Sequence, residues 1–188
     1  RFTAQKDLIT SLESRLEVQD TALGELSAAA NEVRLAITEA LAIDKGVGLS
    51  GRLDAAFRQA FVALNATFGG EFLFNGTDNE TSPLTVSTLD ELAATAATDD
   101  AFADGTQRRR VQLGDQPFID LGPRAREIAT ELFDVLRSIR QFEQTPGNAF
   151  GYELTDAQRT FLNGALATAK TAETVTARAQ SDNGVVQA

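Results

Sequence analysis

Residues 2–40 read FTAQKDLITSLESRLEVQDTALGELSAAANEVRLAITEA. Taken at alternating steps of three and four, they give Phe2, Gln5, Ile9, Leu12, Leu16, Gln19, Leu23, Leu26, Ala30, Val33, Ile37 and Ala40, with mostly polar residues between. This spacing lays one largely apolar stripe along a helix for more than five heptads, the pattern of a coiled coil or bundle. At 1.5 Å per residue the helix is about 60 Å long, far beyond the usual globular helix. Gly24 is its one interior breaker, costing about 1 kcal/mol relative to Ala.

Outward from that helix, Lys45-Gly46-Val47-Gly48-Leu49-Ser50-Gly51 turns the chain. A second stripe follows at Leu53, Phe57, Phe61, Leu64 and Phe68, with Ser50 as N-cap and Gly69-Gly70 as the C-terminal stop. The period then changes. Phe72 and Phe74 alternate with Leu73 and Asn75, a short strand ended by Asn75-Gly76. Further strand-like runs are Leu84 to Val86, Arg110 to Leu113 and Phe118 to Leu121. A brief helix is expected from Leu89 to about Ala97, opened by a Thr88–Glu91 capping box.

Helical spacing resumes at Pro123, a residue suited to a first helical position. Ala125, Ile128, Leu132, Val135, Ile139 and Phe142 form its stripe, and Pro146-Gly147 stops it. A last helix opens on a Thr155–Gln158 capping box and carries Phe161, Leu162, Ala165, Leu166, Ala169, Ala172 and Val175. Each helical half leaves its stripe uncovered unless it packs on the other. The fold class is therefore mainly α: an elongated antiparallel helical bundle or coiled-coil rod, with a small β-containing insert. Residues 1–74 and 122–188 are assigned to the rod and 75–121 to a mixed β/α insert. The insert holds few apolar residues, and the rod is expected to fold without it.

Composition narrows function. The chain has 188 residues, 17 Lys and Arg against 27 Asp and Glu, a net charge of −10, and neither His nor Cys. That excludes a Ser-His-Asp triad, a cysteine nucleophile, zinc fingers and disulfides. The acidic balance disfavours a phosphate backbone, so no nucleic-acid partner is expected. Nothing reaches 18 consecutive apolar residues, so no membrane span is expected, and no basic-then-apolar signal peptide opens the chain. We expect no catalytic, cofactor-binding or metal-binding residues, and no enzyme.

The remaining motifs read as structure. Gly46-Val47-Gly48-Leu49-Ser50-Gly51 matches GxGxxG, but no strand precedes it, so it is a plain interhelical turn. Residues 59–107 lack Lys and Arg yet carry Glu71, Asp78, Glu80, Asp90, Glu91, Asp99, Asp100 and Asp104, read as a solvated acidic face without calcium-loop spacing. Arg108-Arg109-Arg110 lacks interleaved aromatics and is expected to pair with nearby acids or a neighbouring subunit. Asn65, Asn75 and Asn79 begin matches to the N-glycosylation sequon, and residues 77–88 are a candidate for O-linked decoration.

Two segments carry a family resemblance. Ala63-Leu64-Asn65, then Gly70-Glu71-Phe72-Leu73-Phe74-Asn75-Gly76-Thr77 and Ser82-Pro83-Leu84, resemble the segment closing the N-terminal helical half of the bacterial flagellin superfamily. They are most similar to its hook-associated proteins of the hook–filament junction. Phe72 stands where that family usually has Tyr, and Ser82 where a second Pro is common. The return, Val111-Gln112-Leu113-Gly114-Asp115 and two long helices ending Thr176-Ala177-Arg178-Ala179-Gln180, is similar to the family's C-terminal half.

The resemblance implies a secreted, extracellular, non-enzymatic structural component of the bacterial flagellum. Its partners would be neighbouring axial proteins (hook-associated proteins and flagellin) and a cytoplasmic export chaperone. Flagellin itself is the alternative within the superfamily; a coiled-coil surface adhesin or scaffold binding through the insert is the alternative of another class. Phe2 already stands in register, and Val185 and Val186 are apolar, so the pattern is expected to continue beyond Arg1 and Ala188. Self-assembly would run through those terminal segments, while the 188-residue chain is expected to be monomeric at micromolar concentration.

Overall fold

The computed structural model describes residues 2–112 and 117–187, with side chains described for 6–112 and 117–184. The side chains of Phe2, Gln5, Val185 and Val186, and all of Leu113, Gly114 and Asp115, lie outside those residues. The first stripe forms helix α1 (Phe2–Ile43), unbroken through Gly24. Leu16, Gln19, Leu23, Leu26, Ala30, Val33, Ile37 and Ala40 are all buried. Leu12 is half-buried and Ile9 is 47% exposed, so the covered seam starts near Leu16.

Helix α2 spans Leu49–Leu64, α4 spans Ala125–Gln144 and α5 spans Asp156–Gln187; a short α3 (Leu89–Ala94) lies between. Cross-helix pairs fix their directions. Gln19 and Arg34 of α1, and Asp44 just after it, meet Asn183, Glu173 and Arg159 in descending order, so α1 and α5 are antiparallel. Glu25 and Glu32 meet Gln59 and Arg52, Ser50 and Phe57 meet Glu143 and Phe133, and Phe142 stacks on Phe161 at 4.0 Å. The long helices thus form an antiparallel bundle in the cyclic order α1, α2, α4, α5. It is a mainly helical rod with, among the described residues, two small two-stranded sheets.

Several boundaries differ from the sequence reading, among them the strand read through Phe74, which ends at Phe72. Helix α2 is not capped by Ser50: Gly48, left-handed at φ 83°, stands at the N-cap, and Ser50 sits inside the first turn donating to Glu143. Nor does α2 reach Gly69-Gly70. It ends at Leu64, Phe68 enters strand β1 (Thr67–Phe68), and the two glycines turn the chain into β2 (Glu71–Phe72). Both have positive φ, 60° and 84°, as a two-residue type I′ hairpin turn demands. Pro123 precedes α4 instead of opening it, because Arg124 is still extended at ψ 155° and serves as N-cap.

Of the two expected capping boxes, the first forms by half: Thr88 Oγ1 accepts from Glu91 N, but the Glu91 carboxylate accepts from Ser87 N and Oγ, and α3 stops at Ala94, three residues before Ala97. Thr155 and Gln158 bond reciprocally at 2.9 and 3.2 Å. Strands β3 (Arg110–Val111) and β4 (Ile119–Asp120) pair antiparallel, and Leu84 makes only an isolated bridge to Phe102.

The segment between Asn75 and Leu121 is less separate than its composition suggests. Leu84, Val86, Leu89, Leu92, Ala101 and Phe102 belong to the same buried cluster as the bundle. Phe102 stacks on Phe133 at 5.2 Å, and Phe133 in turn meets Phe57 at 5.6 Å. Removing 77–121 would strip the cover from α4, so the expectation that the rod folds without it does not fit the packing.

Candidate functional site

Helix α4 organises the polar chemistry of the molecule. Its sequence places Arg126, Arg137 and Arg140 where the acidic segment 76–107 lies against it. Arg126 pairs with Asp99 at 3.1 Å and with Asp104 at 3.1 Å, the latter side chain 0% exposed. Arg137 donates to the carbonyls of Thr95 and Ala96, and Asp134 accepts from Thr98 Oγ1 at 2.6 Å. Ala125 N donates to Phe74 O, tying the helix start to the turn that follows β2. The acids read as a solvated face are therefore partly the docking charge of that segment. Docking needed an opposite charge that lies outside the segment, so its composition alone could not reveal it.

At the C-terminal end of α4, Arg140 gathers Asp90 at 2.7 Å, Glu143 at 2.9 Å and Asp54 at 3.6 Å. The hydrogen bond to Asp90 chiefly raises the Arg140 pKa, and the same bond holds the Asp90 carboxyl below its usual range. A guanidinium ringed by ionised carboxylates is the reverse of an acid–base catalytic pair, where one carboxyl must be held protonated.

At the N-terminal end, Arg108, Arg109 and Arg110 pair with acids as their position implied. Arg108 meets Glu127 at 3.0 Å and Asp120 at 3.8 Å, Arg110 meets Asp120 at 2.8 Å, and Arg109 meets Glu71. Burial works to raise the Glu127 pKa, but hydrogen bonds from Arg124 N and the Arg108 guanidinium bring it down. The Arg109 hydrogen bond lowers Glu71. Arg15, almost fully buried on α1, shares Glu71 at 3.6 Å; desolvation, then repulsion by Arg109, lowers its pKa.

The other sequence features resolve as follows. Gly46 N donates to Gly151 O at 3.1 Å, so the GxGxxG match is an interhelical turn packed on the α4–α5 loop. Asn75 is fully buried, its amide donating to the Asp78 and Thr81 carbonyls and its oxygen accepting from Gly105 N, so that sequon is a structural knot. Among the described residues, no three of His, Cys, Asp and Glu come together as metal ligands. Among those residues, no helix is long and apolar enough to cross a membrane.

One feature escaped the sequence reading. Gln19, 1% exposed, donates from Nε2 to Asn183 Oδ1 at 2.8 Å, and Asn183, 4% exposed, donates to Leu16 O at 3.3 Å. Both line a cleft of about 360 Å³ with Leu16, Ile128 and Ala179. A polar residue standing within the apolar heptad stripe was the available signal.

No family model matches the chain, and neither does any curated protein sequence. Solved structures do. FlgL from Bacillus cereus superposes over 97% of this chain and 82% of its own, with a TM-score of 0.75 and 13% identity. A Vibrio parahaemolyticus protein assigned to the flagellar hook-associated proteins superposes over 98% of this chain and 80% of its own, with a TM-score of 0.74 and 18% identity. At those identities what the chain shares with both is the fold.

Proposed function

We propose that this chain is a structural component of the bacterial flagellum, of the hook-associated protein 3 type. In this reading it links hook to filament by helical assembly with neighbouring hook-associated proteins and flagellin, and meets an export chaperone in the cytoplasm. It is secreted and extracellular, serves motility, and catalyses nothing. Residues 1–74 and 122–188 are the rod and 75–121 the insert.

The observation that supports this is fold likeness across almost the whole chain to FlgL and to a second flagellar hook-associated protein. It stands beside the resemblance at Gly70 to Thr77. The chemistry agrees: carboxylates around Arg140 and Arg126 are ion-paired and serve docking. Electron microscopy of flagella from a strain lacking the gene tests the reading. Shed filaments with intact hooks are expected; unchanged flagella overturn it.

A further inference from the structure

The cleft beside Gln19 holds an acceptor that the chain itself leaves unanswered. Asn183 Nδ2 donates to Leu16 O, which turns its Oδ1 toward Gln19, and Gln19 Nε2 donates to that oxygen. This network fixes which way the Gln19 amide lies. Gln19 Oε1, fully buried, accepts from nothing among the described residues. A buried acceptor without a donor is destabilising, so the cleft favours a group that brings one. Gly122 leaves room for the amide, because a Cβ there would collide with Gln19 Nε2. The other walls are apolar: Leu16, Pro123, Ile128, Val175 and Ala179. An apolar ring with a single hydrogen-bond donor suits such a site.

The chain carries one ring of that kind. It has 12 Phe and 1 Tyr, with neither Trp nor His, so Tyr152 is its only aromatic side chain able to donate. Tyr152 stands on the loop between α4 and α5 and is 66% exposed. Gly46 N to Gly151 O and Leu154 N to Asp44 O join that loop to the α1–α2 turn, where Ile43 and Val47 are also exposed. Lys45 Nζ lies 4.5 Å from the Tyr152 ring centroid, a cation–π contact that orders the ring. Cleft and ring sit at opposite ends of the rod: Gln19 and Ile43 are 24 residues apart on α1, about 36 Å. The ring of one copy can therefore fill only the cleft of another.

Charges beside the two places match. Lys45 and Glu153 flank Tyr152, while Arg178 and Asp182, one helical turn apart on α5 and both exposed, stand on the rim of the cleft. None of these four has an ion-pair partner among the described residues. The other charged groups nearby do: Arg108 pairs with Asp120 and Glu127 on the rim, and Arg159 with Asp44 and Asp156 at the tip. Each end thus offers one unpaired cation and one unpaired anion to the other.

We propose that Tyr152 of one copy enters the Gln19 cleft of the next, its phenol donating to Gln19 Oε1, with Lys45 and Glu153 facing Asp182 and Arg178. This rests on the reading of the chain as an assembling subunit. A heterologous contact of this kind propagates instead of closing a dimer. The net charge of −10 keeps free copies apart in dilute solution. Copies already held in an assembly meet at effective concentrations on the order of millimolar, where one docked ring suffices.

Sedimentation equilibrium and near-ultraviolet circular dichroism up to about 1 mM chain test the contact. With one tyrosine and no tryptophan, the tyrosine band reports on Tyr152 alone. We expect the wild type to associate over this range, its tyrosine band strengthening in step. Tyr152→Phe, which loses only the hydroxyl, should associate about threefold to tenfold more weakly. Tyr152→Ser, which loses the ring, should lose at least about tenfold. Arg178→Glu should weaken association, and Glu153→Lys in the same chain should restore it. All three positions are exposed, so far-ultraviolet circular dichroism should show wild-type helix in every variant. A wild type monomeric at about 1 mM, a tyrosine band indifferent to association, either Tyr152 variant as tight as wild type, or no rescue by Glu153→Lys overturns the contact. If gene loss sheds filaments but the contact fails, only this surface is wrong; a Tyr152-dependent contact alongside flagella unchanged by gene loss overturns the flagellar role instead.

Discussion

Gln19 and Asn183, 164 positions apart in the chain, hydrogen-bond at 2.8 Å inside the seam between α1 and α5. A buried polar pair in an apolar stripe specifies register, because sliding either helix by one turn would bury each amide without its partner. Gln19→Leu is expected to cost about 1–3 kcal/mol by stranding Asn183. The double variant Gln19→Leu/Asn183→Leu should recover most of that loss. Urea denaturation of both singles and the double measures the coupling; additive losses would show that the two amides do not act as a pair.

Leu132 lies at 0% exposure in the middle of α4, within the cluster shared by the bundle and the segment before it. Leu132→Ala should cost about 2–5 kcal/mol. Leu16, at the edge of the covered seam, should cost less on the same change. Equal midpoint shifts for both variants would contradict the observed start of the seam near Leu16.

Phe102 tests whether the segment from Asn75 to Leu121 belongs to the core. Its ring stacks on Phe133, and Phe133 meets Phe57. Phe102→Ala should lower the thermal midpoint of the helical signal itself, at a cost of about 3 kcal/mol, in one cooperative transition. An unmoved helical transition would mean that the segment rides on the bundle as an appendage.

Much of this architecture could be read from the chain. The heptad stripe of α1 and the 3–4 spacings of α4 and α5 record burial directly, so helices and their mutual packing followed. Thr88 and Thr155 announced their caps because capping is decided within four residues. The failures at Ser50, Gly69-Gly70 and Pro123 are also local. A left-handed Gly48 outcompeted the serine, a pair of glycines served a hairpin instead of a helix stop, and the N-cap fell one residue past the proline. What could not be read was long-range pairing. Nothing near Asp104 or Asp90 in sequence indicates Arg126 or Arg140, and nothing near the three-arginine run indicates Glu71, 38 residues before Arg109.

Docking of the acidic segment should depend on pH with a definite sign. Glu71, Asp90 and Glu127 titrate below their ordinary values in the folded chain: Arg109 and Arg140 hydrogen bonds lower the first two, while for Glu127 hydrogen bonds outweigh the opposing burial. A carboxylate depressed on folding stabilises the fold above its unfolded-state pKa and loses that contribution as pH falls through its folded value. Stability should therefore be level above about pH 5 and decline below about pH 4, where unfolded Asp and Glu titrate. Arg140→Gln should flatten that decline by releasing Asp90. A profile equally steep in wild type and variant would show that this ion pair is not linked to folding.

Gly76 offers the sharpest backbone test. Its φ is +64°, and a Cβ there would run into the carbonyl oxygen of Gln107, which already accepts from Thr77 N at 3.1 Å. The residue before it, Asn75, anchors Asp78, Thr81 and Gly105 through its amide, so the backbone at Gly76 cannot relax without breaking that knot. Gly76→Ala is expected to cost about 1–3 kcal/mol from the left-handed conformation alone, with the backbone collision adding to it. Gly51, in the first turns of α2 with open space around it, supplies the contrast. Gly51→Ala should stabilise by up to about 1 kcal/mol, since Ala is the better helix former and loses less entropy. Thermal unfolding of the two variants should thus move in opposite directions; a Gly76→Ala midpoint at or above wild type would mean that the turn at Asn75-Gly76 does not hold the segment against α4.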